Sequence, residues 1–135
     1  MSAHNVEIVR RAIAAVFMSE PPDVESLREV LDPDHVLTTN WGVGGTEHHG
    51  VQGTVAALAE MSAVWDSWQQ EVERVVDAGD QGVVALLRFR AKGRESAVPV
   101  EAAWAMVAIL RDGRIVTSRV LLTHDEALKA VGLED

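Results

Sequence analysis

The chain reads as an α+β fold, with three helices laid on the concave face of one curved, antiparallel sheet. Three observations point there. Apolar residues recur at helical spacing in the first half of the chain. Four runs of strand-forming residues fill the second half. Short turn signals separate those runs, which makes successive strands antiparallel neighbours and segregates helices from sheet.

Val6, Val9, Ile13, Val16 and Phe17 lie three and four residues apart, so residues 5–18 are expected to form an amphipathic helix. Pro21-Pro22 stops it. Asp23 can cap a second, short helix that turns Val24, Leu27, Val30 and Leu31 inward, and Pro33 closes that one. "HVLTTNW" (35–41) is β-branched and aromatic and is expected as the first strand. "GVGGTEHHG" (42–50) reads as a loop. Val51, Val55, Leu58, Met61 and Trp65 mark a third helix. The four strand candidates are then "WQQEVERVVD" (68–77), "GVVALLRFR" (82–90), "VEAAWAMVAIL" (100–110) and "RIVTSRVLL" (114–122). Gly79-Asp80, Lys92-Gly93 and Asp112-Gly113 separate them, and Asp-Gly between apolar runs is a hairpin signal. The second and fourth runs carry consecutive apolar residues, as strands covered on both faces do. A last short helix follows, with Thr123 and Glu126 spaced as a capping box and Gly132 as its stop.

A length of 135 residues suits a single domain, 1–135, with one core. A net charge of −9 repels phosphate backbones and argues against a nucleic-acid partner. No apolar run is long enough to cross a bilayer, and no basic-then-apolar segment opens the chain, so a cytoplasmic protein without a membrane partner is expected. Cysteine is absent, which excludes disulfides and thiolate chemistry. Tyrosine is absent too, so no site here can use a phenol donor.

Order, length and local strings together resemble the SnoaL-like branch of the NTF2-like superfamily. The resemblance rests on "LDPDHV", "HHGVQGTVAAL", "DAGDQGVVAL", "AAWAMVAILRDGRIV" and "HDEALKAVGL", and it covers nearly the whole chain. It implies a cone-shaped cavity between the helices and the curved sheet. The superfamily includes polyketide cyclases, ketosteroid isomerases, dehydratases, epoxide hydrolases and non-catalytic binding modules, so fold alone does not choose among them. Carried over residue by residue, the acids of the usual mechanisms are missing. The ketosteroid isomerase tyrosine falls at Ala12, its base at Thr39 or Asn40, and its oxyanion acid at Met106. The last-strand aspartate of the cyclases and epoxide hydrolases falls at Thr123.

Strand parity proposes the cavity wall. Trp104 and Met106 face inward together, as do Leu87 and Phe89 on the strand before, and Ser118, Val120 and Leu122 on the strand after. Leu37, Thr39 and Trp41 join from the first strand, and Leu58, Met61 and Trp65 from the third helix. Such a wall suits a hydrophobic, polycyclic or polyketide-like molecule held by few polar contacts. Arg88, Arg90, Arg119 and Glu101 fall on the opposite face with Val107 and Ile109, where a homodimer with ion pairs between subunits is expected.

For acid-base work only histidine titrates near neutrality without perturbation. His4 precedes the first helix, His124 starts the last, and His35 begins its strand far from the 42–50 loop. His48 and His49 stand at the expected cavity mouth and are the candidate catalytic pair, His48 first. No HxxxH or HxH spacing supports a metal, "GVGG" lacks the rest of a phosphate loop, and no cofactor is expected. Two functions follow as expectations. One is a cyclase, isomerase or dehydratase acting by proton transfer. The other is a non-catalytic binding or dimeric accessory protein.

Overall fold

The computed structural model describes residues 2–19, 21–39, 46–93 and 99–133. Helix α1 spans Ser2–Phe17 and α2 spans Val24–Val30. Asp23 caps α2 as its spacing suggests, its carboxylate accepting from the Ser26 amide at 3.2 Å and the Ser26 hydroxyl at 2.8 Å. The chain then enters β1 (Leu31–Thr39) directly. Pro33 therefore sits inside a strand, where the register slips between Leu31 and Val36, and not at a helix end.

Residues 46–49, expected as loop, form a short strand β2 (Thr46–His49) that pairs antiparallel with β1. Trp41 and the glycines at 42, 44 and 45 lie outside the described residues. Helix α3 runs from Gly50 to Val64, so Trp65, expected on that helix, begins β3 (Trp65–Asp77) instead. β4 (Val83–Gly93), β5 (Pro99–Arg111) and β6 (Arg114–Leu121) complete the meander, and α4 (His124–Ala130) follows. Asp112 (φ +54°) and Gly113 (φ +78°) make the tight turn between Arg111 and Arg114. Both central residues are left-handed, the conformation that favours Asp-Gly in a two-residue hairpin.

The sheet order is β2-β1-β6-β5-β4-β3. All neighbours are antiparallel except β1 and β6, which run parallel, with Leu37 opposite Ser118. This mixed pairing departs from the all-antiparallel sheet expected. It brings the first strand beside the last one, from opposite ends of the sequence.

The two faces of the meander are covered differently. On the inner face Val83, Ala85, Leu87, Ala108 and Ile115 pack with Ile8, Val9, Ile13, Leu27 and Val30 from α1 and α2. On the outer face Val84, Leu86, Ala105 and Val107 pack with Ala127 and Val131 at the end of the chain. That explains the consecutive apolar residues of β4: alternate side chains go to two cores. Thr123 caps α4 by accepting from the Glu126 amide at 3.0 Å, and the Leu133 amide bonds back to Leu128 O at 2.8 Å past Gly132.

Helix α4 changes the expected outer face. Val107, expected at a dimer interface, is buried by the chain's own last helix, while Ile109 is exposed. Arg88, Arg90 and Glu101, three of the expected cluster, form ion pairs within the chain. Arg88 Nε lies 2.6 Å from Glu73 Oε1 and its other arm 3.1 Å from Glu101, while Arg90 Nε lies 3.3 Å from Glu101. Glu73 and Glu101 stand on the strands flanking β4, so the ladder ties three strands together. Among the described residues no helix is long and apolar enough to cross a membrane.

Candidate functional site

Three helices cannot fill the bend of the sheet completely. A cavity of about 70 Å³ remains between α1–α3 and the inner faces of β1, β5 and β6. Ala12, Ile13, Val16 and Phe17 form its α1 side, and Ala57, Leu58 and Met61 its α3 side. The sheet contributes Leu31, His35 and Leu37 from β1, Trp104 and Met106 from β5, and Ile115, Ser118 and Val120 from β6.

Seven of the expected wall residues line this space: Leu37, Leu58, Met61, Trp104, Met106, Ser118 and Val120. Of the others, Trp41 lies outside the described residues, and the rest go elsewhere. Thr39 is fully buried, and its hydroxyl donates to Thr46 O across the β1–β2 pair at 3.4 Å. Leu87 is fully buried in the helix–sheet core on β4, one strand beyond those that line the cavity. Phe89 packs against Trp65, ring centroids 5.3 Å apart, at the outer end of β4. Leu122 lies beyond the last residue of β6 and is 56% exposed, because the chain has already turned toward α4.

The two histidines expected at the mouth do not reach the wall. β2 is a strand, so His48 and His49 point to opposite sides. His49 is exposed, with Nε2 3.8 Å from Glu47 Oε1. His48 is buried beneath the start of α3. A Cβ added at Gly53 would come within 2.8 Å of the His48 backbone, which shows how closely the helix lies on this strand.

The histidine that does line the cavity is His35. It is 1% exposed, and its Nε2 lies 2.9 Å from Ser118 Oγ. Burial in apolar surroundings pushes its pKa down to about 4, against a weaker upward pull from the Asp32 carboxylate. At neutral pH about one ring in a thousand is then charged. Its Nδ1 is buried and has no hydrogen-bond partner. If Nε2 carries the proton, it donates to Ser118 and Nδ1 is a free acceptor. If Nδ1 carries it, Ser118 donates to Nε2 and Nδ1–H is a free donor.

The remaining polar groups on the wall are already used. Thr54 donates its hydroxyl to Gly50 O at 3.1 Å, and Trp104 donates its indole N–H to Gln70 Oε1 at 2.7 Å. His35 and Ser118 are therefore the polar pair in an otherwise apolar lining, bonded to each other, with the buried Nδ1 of His35 left without a partner. Sequence reasoning missed His35 because it judged the strand end by distance along the chain. The signal that was present is its parity with Leu37. Only the parallel β1–β6 pairing, joining residues 83 positions apart, shows that this parity leads to the cavity.

A family model described as a SnoaL-like domain matches residues 9–118. Among solved structures, a putative SnoaL-like polyketide cyclase from Jannaschia sp. CCS1 is similar, with a TM-score of 0.75 at 18% identity over 99% of this chain and 95% of that one. An NTF2-like protein of unknown function from Burkholderia pseudomallei K96243 gives 0.73 at 18% identity over 96% and 98%. An LEH-like epoxide hydrolase from M. tuberculosis gives 0.62 at 18% identity over 96% and 86%. At such identities the likeness is one of fold. No curated protein matches the chain in sequence. Of the residues expected to stand in place of the family's catalytic groups, Ala12 and Met106 are cavity wall, Thr39 bonds to β2, and Thr123 caps α4.

Proposed function

The chain belongs to the SnoaL-like domain family, and from that premise we propose that it binds an apolar small molecule bearing one hydroxyl or carbonyl group. The apolar body is held between helices and sheet, and the oxygen meets His35 and Ser118. The observation that carries this reading is the neutral, buried His35 with a free Nδ1 on an otherwise apolar wall. A buried polar atom without a partner is destabilising, and a ligand that supplies the partner recovers that loss.

Binding leads over proton transfer for a reason of magnitude. An effective base has a pKa near the working pH. Charging His35 at pH 7 costs about 4 kcal/mol, three pKa units below neutrality, so a barrier that requires the imidazolium starts about a thousandfold behind. Cyclisation, isomerisation or dehydration is the second reading. It is favoured only if neutral His35 polarises a carbonyl as a hydrogen-bond donor, in the way a neutral histidine serves some isomerases.

Phenol and toluene test the proposal, because a methyl group of similar size replaces the hydroxyl. Titration followed by tryptophan fluorescence reports on Trp104 at the wall. Phenol should bind about five- to tenfold more tightly than toluene, the worth of one hydrogen bond. The advantage should vanish in His35→Phe and in Ser118→Ala. Equal affinities in the unsubstituted protein, or no binding of either at millimolar concentration, would overturn the reading.

A further inference from the structure

The two ends of the sheet are finished differently. β2 closes one end and is four residues long. A short edge strand is one way in which a sheet avoids pairing with a foreign chain. β3 closes the other end and runs for 13 residues. Its register on β4 slips between Trp65 and Ser67 and again between Val72 and Arg74. Between the slips, Ser67 to Val72 pair residue for residue with Lys92 to Leu87. That stretch of β3 holds no proline and no lysine. Its one charged side chain, Glu71, is turned back toward Arg90 of β4, 3.8 Å away. A regular edge leaves alternate backbone N–H and C=O groups without a ladder partner, and between the slips no charge, proline or bulge guards them.

A groove of about 500 Å³ runs along this edge, between β3 and α1. Its strand wall is Gln69, Gln70, Glu71 and Val72, four consecutive residues. Consecutive strand residues point to opposite faces, so the edge itself lines the groove. Arg10, Ile13 and Ala14 come from one side of α1, and Met18 follows just past its end. Met18 is 60% exposed. Arg10 has no ion-pair partner among the described residues, although the chain carries a net charge of −9. Gln70 accepts the Trp104 indole N–H through Oε1 at 2.7 Å, which leaves its amide hydrogens as donors on the groove wall.

From this we infer that β3 takes up an extended segment of another protein as a seventh strand, at a site separate from the cavity. The backbone of the segment pairs with Ser67 to Val72. On the α1 side it carries a carboxylate that meets Arg10 and apolar side chains that cover Ile13 and Met18. Charge selects this occupant. Glu71 already has Arg90, so the cation left to be matched is Arg10. A second copy of this chain is a poorer fit, since it brings a further charge of −9 and an edge whose own carboxylate is tied to Arg90.

Two synthetic peptides test the inference: Thr-Val-Thr-Glu-Thr-Val-Thr-Val, and the same peptide with lysine in place of glutamate. In both, valine and the charged residue share one face of the strand. At millimolar concentration the glutamate peptide should slow hydrogen exchange at alternate amides of Ser67–Val72 at least tenfold. It should bind about tenfold more tightly than the lysine peptide, and Arg10→Glu, at an exposed position of α1, should reverse that order. Methyl groups on every second backbone nitrogen of the glutamate peptide should abolish binding in one frame and spare it in the other, because one set of N–H groups faces β3. If neither peptide slows exchange, if both methylated frames bind alike, or if Arg10→Glu leaves the order unchanged, the seventh strand is wrong. Protection of these amides that grows with protein concentration and needs no peptide would assign the edge to a second copy, and would overturn the proposal too.

Discussion

Acid should unfold this protein partly through His35. The unfolded chain takes up a proton on this ring near pH 6.5, whereas the folded chain withholds it until about pH 4. Between those values the unfolded state binds more protons, so stability falls as the pH falls. The contribution of the buried neutral ring is intact above pH 6.5 and declines by about 1.4 kcal/mol per pH unit below it. It is lost by pH 4, a total of about 3 kcal/mol across the window. For a domain whose whole stability is of order 5–15 kcal/mol, that is a large share. Urea denaturation from pH 7.5 to 4 checks it, with His35→Gln as the reference. Glutamine does not titrate, and the carboxylates common to both proteins cancel in the difference. The stability gap should shift by about 3 kcal/mol against the unsubstituted protein as the pH is lowered. Parallel pH profiles would refute the reasoning. So would a His35 ring-proton titration by NMR with its midpoint near 6.5, because the ring would then be hydrated and not part of a closed apolar wall.

Three further outcomes are expected. Thr123→Ala should lower stability by about 1 kcal/mol, since it removes the cap of α4; an unchanged urea midpoint would mean that this cap contributes nothing to stability. Gly82→Ala should cost about 3 kcal/mol, because the glycine is held at φ +113° and a new Cβ would lie 2.6 Å from Ala108 O; thermal melting measures it, and a loss under 1 kcal/mol would contradict that contact. We propose that a homodimer forms through the part of the outer face that α4 leaves open, where Ile109 is exposed. Sedimentation equilibrium at micromolar concentration should then give the mass of two chains, reverting to one in Ile109→Glu, and a single-chain mass without substitution would end the idea.

The local features of this fold were legible because local chemistry causes them. Asp23, Thr123 and Asp112-Gly113 each act within a few residues of themselves, so their spacing predicts caps and a turn that the structure contains. Alternation along β5 likewise places Trp104 and Met106 on one face and Ala105 and Val107 on the other, since strand side chains have a period of two whatever the partner. What covers each face is a different matter. The sequence implied that some strands were buried on both sides, but a second subunit and the chain's own α4 satisfy that pattern equally well. Only packing assigns Val107 to α4, and only packing pairs Arg88 with Glu73 and Glu101 of the same chain. The candidate site was decided at the same level. His35 and Ser118 each show inward parity, yet nothing local joins two strands 83 residues apart in parallel. Long-range pairing is set by the whole core, and it alone turned a neglected histidine into the polar group of the cavity and left the conspicuous His48-His49 pair outside it.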